Sequence, residues 1–488
     1  MTQNTLYWHD YETFGIDPQR DRPVQFAGIR TDEELNIIGE PLNIFCRPSP
    51  DNLPHPISSL ITGITPQQAL EQGLAEAEFI QRIYAELSEP GTCGVGYNSL
   101  RFDDEVTRNT LYRNLFDPYG REWQNGNSRW DIIDVVRACR DLRPEGIVWP
   151  MREDVERSSF KLEELTVANG ISHEHAHDAL SDVYATIAIA KLIKDKQPKL
   201  YDFLYKLRRK QEVLKHIDLK ELTPILHTSG MYGSDHGNTR MVVPIAMHPT
   251  NKNSIIVFDL AQDPSVLLDH GANKLRDLLY TPNDEIPEGK QRPALKQLIV
   301  NRCPVIAPTS TLTGDTSERL NIDLMTSMKH RQAVLASRKD IQQKVAKIFE
   351  PREYEKQTDP DLMIYGGGFF SENDKRLMET IRNTAPDELG TQTWTFDDKR
   401  LPEMLFRYRA RNYPETLNAD EQAEWLEHCR ARLVNGDSGH LNFEGFYAEI
   451  EQLRKEEELD NDKSRLLDEV EAFGRELDTY ITKEIIVS

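Results

Sequence analysis

No stretch of the 488 residues approaches the 18 or more apolar side chains that a membrane-spanning helix requires. The first residues, Met1-Thr-Gln-Asn-Thr5, lack the basic and apolar regions of a signal peptide. Cysteine is scarce. Cys46, Cys93, Cys139, Cys303 and Cys429 are odd in number, far apart and without zinc-ligand spacing, so a disulfide framework is excluded and reduced thiols are expected. A cytoplasmic protein is the expectation from these three absences. Positive charge is in deficit too: Lys and Arg number 59 against 81 Asp and Glu, a net charge of −22. That excludes a simple electrostatic nucleic-acid binder, though not a cleft that is locally basic. The basic runs Arg137–Arg143, Lys206–Lys210 and Arg407–Arg411 read as solvated faces. Gly366-Gly367-Gly368 lacks the lysine and spacing of a phosphate loop and reads as a turn or hinge.

What is present fits a soluble globular chain of about two to four domains, with 38% hydrophobic and 29% charged residues. Through residues 5–200 strands and helices alternate loosely, which predicts an α/β domain with a mixed sheet. Val24–Arg30 and Leu42–Cys46 form a meander with the first strand, and residues 48–56 form a loop. Pro66 opens a helix that continues in pieces to about Leu87. Trp130–Arg137 is ambiguous between helix and strand, and Ser159–Leu165 reads as a capped helix ending near Gly170. Strand-like stretches such as Met241–Ala246 and Ser254–Asp259 predict a small β-rich α+β domain over 202–355. Glu353–Asp361 reads as a linker, and helices at 377–384, 401–408, 419–433 and 443–481 make 356–488 mostly α-helical.

The first strand carries the chemistry. Alternation along Leu6–Gly15 puts Trp8, Asp10 and Glu12 on one face. Two carboxylates on one face repel, and a divalent cation between them removes the cost. Further acids follow: Asp103 at a strand-to-helix junction and Asp182 on a later helix, with His177 on the loop before it. Phosphodiester hydrolysis needs an activated water and a stabilised leaving alkoxide. Two cations held by three or four carboxylates meet both needs, and a histidine that titrates near neutrality takes the proton. Asp10, Glu12 and Asp182 are therefore the expected metal ligands, with Asp103 at the second metal and His177 as general base. Hard oxygen donors suit two Mg²⁺ ions, with Mn²⁺ as substitute.

Asp10-x-Glu12, Asn98-x-x-x-Phe102-Asp103 and His177-x-x-x-x-Asp182 resemble the three motifs of the DEDD exonuclease superfamily, histidine subclass. A longer set is similar to the bacterial exonuclease I family within it: His9–Gly15, Leu60–Pro66, Arg101–Asn109, Asn127–Asp131, Ala176–Asp178 and Tyr408–Asn412. The resemblance implies a ribonuclease-H-like exonuclease domain (1–201), an SH3-like barrel domain (202–355) and a helical domain (356–488), closing a groove around single-stranded DNA. It also implies processive 3′→5′ degradation to 5′-mononucleotides, a role in DNA repair and recombination, and a monomer. Glu12, Arg108, Tyr119, Trp123, Arg137, Phe160 and Lys161 fall at its DNA-contacting positions. These residue types are independently right, because aromatics stack on bases and cations track phosphates. For Tyr119, Trp123 and Phe160 core packing is the alternative; Tyr365, Phe369 and Phe370, beside the triple glycine, read as core packing, with the far side of the groove as their alternative.

Such enzymes also dock the acidic, phenylalanine-ending tail of single-stranded DNA-binding protein on the middle domain. Here Thr313 stands where an arginine is expected, with Arg319, Lys329, Arg331 and Arg338 nearby. Three rival readings remain. One is a related nuclease acting on RNA or short oligonucleotides, and another is a binding module with a dead site. The third is a zinc peptidase, because His173-Glu-His-Ala-His177 spells H-E-x-x-H.

Overall fold

The structure, a computed structural model, describes residues 4–152, 157–172, 178–233, 235–351, 357–456 and 459–482. The chain forms two compact units. The first comprises Met1–Ser128, His173–Tyr184 and Glu355–Ser488; the second comprises Arg129–Ser172 and Ala185–Tyr354.

In the first unit β1 (Thr5–Thr13) is flanked on both sides. β2 (Pro23–Thr31) lies antiparallel to it, with Asp10 opposite Ala27 and Glu12 opposite Gln25. β3 (Leu42–Phe45) continues the expected meander. β4 (Thr92–Gly96) runs parallel to β1, Trp8 facing Val95. The crossover to β4 contains helices Pro66–Gln72 and Glu76–Ser88 as expected, and a further one, Pro56–Thr62, where a loop ending at Pro56 is expected. A proline at the first helical position explains that start, since its missing N–H is unneeded there.

Alternation sets the two faces of β1. Tyr7 and Tyr11 pack with Phe26 of β2, Phe79 and Ile83 of helix Glu76–Ser88, and Val106 and Leu111 of helix Asp103–Arg113. Asp10 and Glu12 are thereby turned to the other face. The C-terminal helices pack into the same unit. Trp425, Cys429, Phe446 and Leu477 gather around Leu53, and Met378, Met404 and Tyr408 around Tyr112. The span 443–481 is two helices, Phe443–Glu456 and Asn461–Thr482.

Two sequence expectations fail here for one reason. Asp359 and Asp361, read as linker, are 8% and 2% exposed. Arg407 and Arg411, read as a solvated face, are buried against them. Asp361 accepts from Arg407 at 2.9 Å, Arg411 at 2.5 Å and Arg432 at 2.9 Å. Asp51 accepts from Arg411 at 2.8 Å and Arg432 at 2.6 Å. Such charges tolerate burial only because each is paired and hydrogen-bonded.

The second unit is built on a five-stranded antiparallel sheet in the order Leu295–Ile299, Ser254–Asp259, Thr239–Met247, Ile225–Thr228, Val305–Pro308. Val243, Ile256 and Phe258 pack with Val334, Ile341 and Val345 of helices Leu324–Ala336 and Arg338–Ile348. This is the expected β-rich α+β fold. The ambiguous Trp130–Arg137 stretch divides into a strand to Asp131 and a helix from Ile133. The helix expected from Ser159 runs Leu162–Ala168, and Arg157–Ser158 pairs antiparallel with Met151–Arg152. Among the described residues no helix is long and apolar enough to cross a membrane.

Candidate active site

Asp10, Glu12 and Asp182 each offer a carboxylate oxygen, and the three oxygens lie within 4.8 Å of one another. β1 supplies the first two, and a bulge directly after Glu12 ends the regular ladder. Helix Ala179–Lys196 supplies Asp182 from its first turn, where the positive end of the helix favours an anion. Asp103 opens helix Asp103–Arg113 and is 4% exposed. Its Oδ1 accepts the Tyr11 N–H at 3.1 Å, which ties that helix to β1 between the two ligand positions.

Burial and mutual repulsion act together on these acids. Burial raises Asp10 well above the ordinary carboxylate range, and Asp103, Glu12 and Asp182 add to it. Burial also pushes Glu12 up to about 8, with Asp182, Asp103 and Asp178 adding to it. Four acids crowd together against their own repulsion, and three converge at ligand spacing. Their hard oxygen donors fit Mg²⁺ or Mn²⁺. The donor set is one that could hold a divalent cation. His177, and with it the whole H-E-x-x-H stretch 173–177, lies outside the described residues.

Two residues escaped the sequence reading as parts of this site. Gln25, opposite Glu12 and 3% exposed, donates from Nε2 to Asp178 Oδ1 at 3.2 Å and Asn43 Oδ1 at 3.0 Å. Asp178 thus stands beside Glu12 and is oriented by β2. It directly precedes helix Ala179–Lys196, and its carbonyl accepts the Asp182 N–H at 3.0 Å.

The expected DNA contacts fall in two groups, one in each unit. In the first, Arg108 lies beside Tyr119, its guanidinium carbon 5.4 Å from the ring centre. Arg108 is 6% exposed and its nitrogens donate to Glu105, Glu122 and the Tyr365 hydroxyl. Tyr365 donates its hydroxyl to Glu105. Trp123 is 67% and Phe369 87% exposed, so neither is a core residue. Phe370 stacks on Tyr112 and does pack into the core. In the second unit Arg137 lies 5.7 Å from the Phe160 ring centre and pairs with Asp134. Lys161 is exposed beside Glu164.

The arginines near Thr313 are engaged on backbone carbonyls. Arg319 reaches Asp141, Arg331 reaches Leu222, and Arg338 reaches Lys220. Thr313 itself caps helix Gly314–Arg319 through the Thr316 N–H.

Comparison with known proteins covers nearly the whole chain. Residues 7–190 match the family described as Exonuclease, 208–351 the Exonuclease I SH3-like domain, and 358–477 the Exonuclease I C-terminal domain. Exodeoxyribonuclease I of Haemophilus influenzae is 45% identical over 475 residues, which cover 97% of this chain and 98% of that protein. The structure of a moderately thermophilic exonuclease I from Methylocaldum szegediense superposes with a TM-score of 0.93 at 49% identity, over 97% of this chain and 99% of that one. The zinc-bound complex of Escherichia coli exonuclease I with single-stranded DNA also gives 0.93, at 44% identity over 98% of this chain and all of that one.

Proposed function

The chain belongs to the exonuclease I family, and from that premise we propose that it degrades single-stranded DNA processively from the 3′ end, releasing 5′-mononucleotides. The observation that carries the reading is the convergence of Asp10, Glu12 and Asp182 at ligand spacing in a chain matched along its length by that family. The described relative that binds single-stranded DNA with zinc supports both substrate and metal class.

Asp10, Glu12 and Asp182 would hold the metal, with Asp103 serving a second ion. When bound, two Mg²⁺ ions supply activation of the attacking water and charge neutralisation at the leaving oxygen. The protein does the rest. Tyr11 and Gln25 fix the orientation of Asp103 and Asp178. His177 accepts the water's proton, a role assigned from the sequence. Glu12 would contact the terminal nucleotide as well as help to hold the metal. Tyr119 and Trp123 offer faces to bases, and Arg108 supports Tyr119. Arg137, Phe160 and Lys161 contribute a cationic and aromatic patch from the second unit. We read three functional domains, 1–201, 202–355 and 356–488. The work is that of a monomer in DNA repair and recombination, placed in the cytoplasm with its substrate.

A substrate panel tests this reading. With Mg²⁺ present, a single-stranded DNA 60-mer is consumed, while duplex and RNA of the same sequence survive. In the presence of excess unlabelled trap, each engaged strand is degraded fully. Preferential loss of RNA would move the chain to the oligonucleotide branch of the superfamily, and distributive shortening would end the processive reading.

The partner is proposed on the second unit, where Pro198, Leu200, Phe203 and Pro308 line an apolar groove flanked by Arg143 and the exposed Lys199. Its chemistry fits an acidic tail ending in phenylalanine. Binding of such a peptide, followed by fluorescence anisotropy, weakens in Lys199→Glu; unchanged affinity there would place the tail elsewhere.

A further inference from the structure

Helix Asp103–Arg113 opens with three acids, and the second, Asp104, is 2% exposed. A first-turn carboxylate suits the helix end when solvated, but a buried one needs a cation. Asp104 Oδ1 accepts from Arg121 Nη2 at 2.6 Å. One turn along, Arg108 donates Nε and Nη2 to the two oxygens of Glu122 at 2.6 and 2.8 Å. Asp104 and Arg108 are four apart and share a helix face. Arg121 and Glu122 are consecutive in the turn Gly120–Glu122. Acid and base on the helix therefore meet base and acid on the turn, and shifting the register by one residue would put like charges together.

This turn sits between the two aromatics expected to meet DNA. Tyr119 precedes it and lies against Arg108; Trp123 follows it and is 67% exposed. An indole held out from a doubly bridged support is presented to a ligand, and a flat aromatic face suits a nucleobase. The same helix starts with Asp103, which is docked on β1 by the Tyr11 N–H. Through this helix the turn that bears the indole is tied to β1, which carries Asp10 and Glu12.

Resting on the single-strand reading above, we propose that Arg121 and Glu122 are positioning residues. Their ion pairs with Asp104 and Arg108 hold Tyr119 and Trp123 at a fixed distance from the acid cluster, so that a base stacked there brings the terminal phosphodiester into register. Arg108 then serves the stack, since its guanidinium is already engaged. A register device matters only for substrates long enough to reach the aromatics, and small misplacements of reacting groups are costly.

The test compares a single-stranded 20-mer with the p-nitrophenyl ester of thymidine 5′-phosphate, which has no neighbouring base. Glu122→Gln keeps the shape and removes the charge. Its kcat/KM on the 20-mer falls about tenfold, near the lower end of what one base–aromatic stack is worth, and the loss lies mainly in KM. Its activity on the ester stays at the wild-type level. Trp123→Ala shows the same selective loss, and the double variant falls no further than Trp123→Ala alone. Glu122→Asp, which keeps the carboxylate, recovers part of the loss. If Glu122→Gln folds poorly, Arg121→Lys supplies the second probe, with the same selective loss in smaller measure. Equal losses on both substrates, or fully additive losses in the double variant, overturn the positioning role. A wild type that cleaves the ester and leaves the 20-mer intact refutes the single-strand reading itself.

Discussion

Replacing Asp182 by Ala lowers Mg²⁺-dependent turnover by about three orders of magnitude and raises the melting temperature of the metal-free protein. The first effect follows from the metal's contribution. Charge stabilisation by a catalytic cation amounts to several kcal/mol, and about 1.4 kcal/mol is tenfold in rate. Asp182 supplies one of three converging oxygens, so its loss removes both affinity and placement. The opposite sign for stability follows from the pKa pattern. Asp182 is among the acids that raise Asp10 and Glu12, so without a cation it destabilises its neighbours. Removing it relieves that repulsion, a trade of stability for function. Asp10→Ala behaves in the same way. The check is a paired measurement of single-strand cleavage in Mg²⁺ and thermal unfolding in EDTA. A variant that loses activity and melts lower in EDTA would show a structural acid instead.

Asp361→Ala has the largest effect on stability. Three guanidinium groups converge on this carboxylate, and its removal leaves buried charge without compensation. Breaking such a pair costs about 3–5 kcal/mol, a large share of the roughly 5–15 kcal/mol that holds a protein folded. The same network sets the acid limit. Burial alone would raise Asp51 and Asp361, but Arg411 and its neighbouring arginines outweigh burial and hold both well below the ordinary carboxylate range. Their folded pKa is lower than their unfolded one. The stability they contribute is therefore fully present above the unfolded value, about 3.9, and is lost as pH falls towards the folded value. Unfolding free energy should be insensitive to this network above about pH 5 and fall steeply below pH 4. Asp361→Ala should lose part of that acid slope. Denaturant titrations from pH 3 to pH 7 check both points; a variant within about 0.5 kcal/mol of wild type would place the network among inconsequential surface pairs.

The acid cluster was legible because metal-ligand chemistry imposes local spacing. Asp10 and Glu12 stand two apart on one strand, and Asp182 follows His177 by five residues at the start of a helix. The meander and the crossover helices were legible from alternation, proline and turn residues. The ion network was not. Charged side chains read as solvated in any hydropathy pattern. Only the fold shows that Asp51 meets Arg432, 381 residues away. Phe369 failed in the opposite sense, since it carries the residue type of a core and stands outside it. The pairing of Arg121 with Asp104 was equally hidden, because consecutive opposite charges in a turn have no period to betray their partners.

An acid cluster that forms the metal-dependent centre of a 3′-end exonuclease leaves a direct signature in the order of product release. The most direct measurement follows a single-stranded 60-mer labelled at either end, with Mg²⁺ and then with EDTA. Labelled mononucleotide is expected immediately from the 3′-labelled strand, late from the 5′-labelled strand, and from neither in EDTA. Early release of the 5′ label, or undiminished cleavage in EDTA, would contradict a metal-dependent start at the 3′ end.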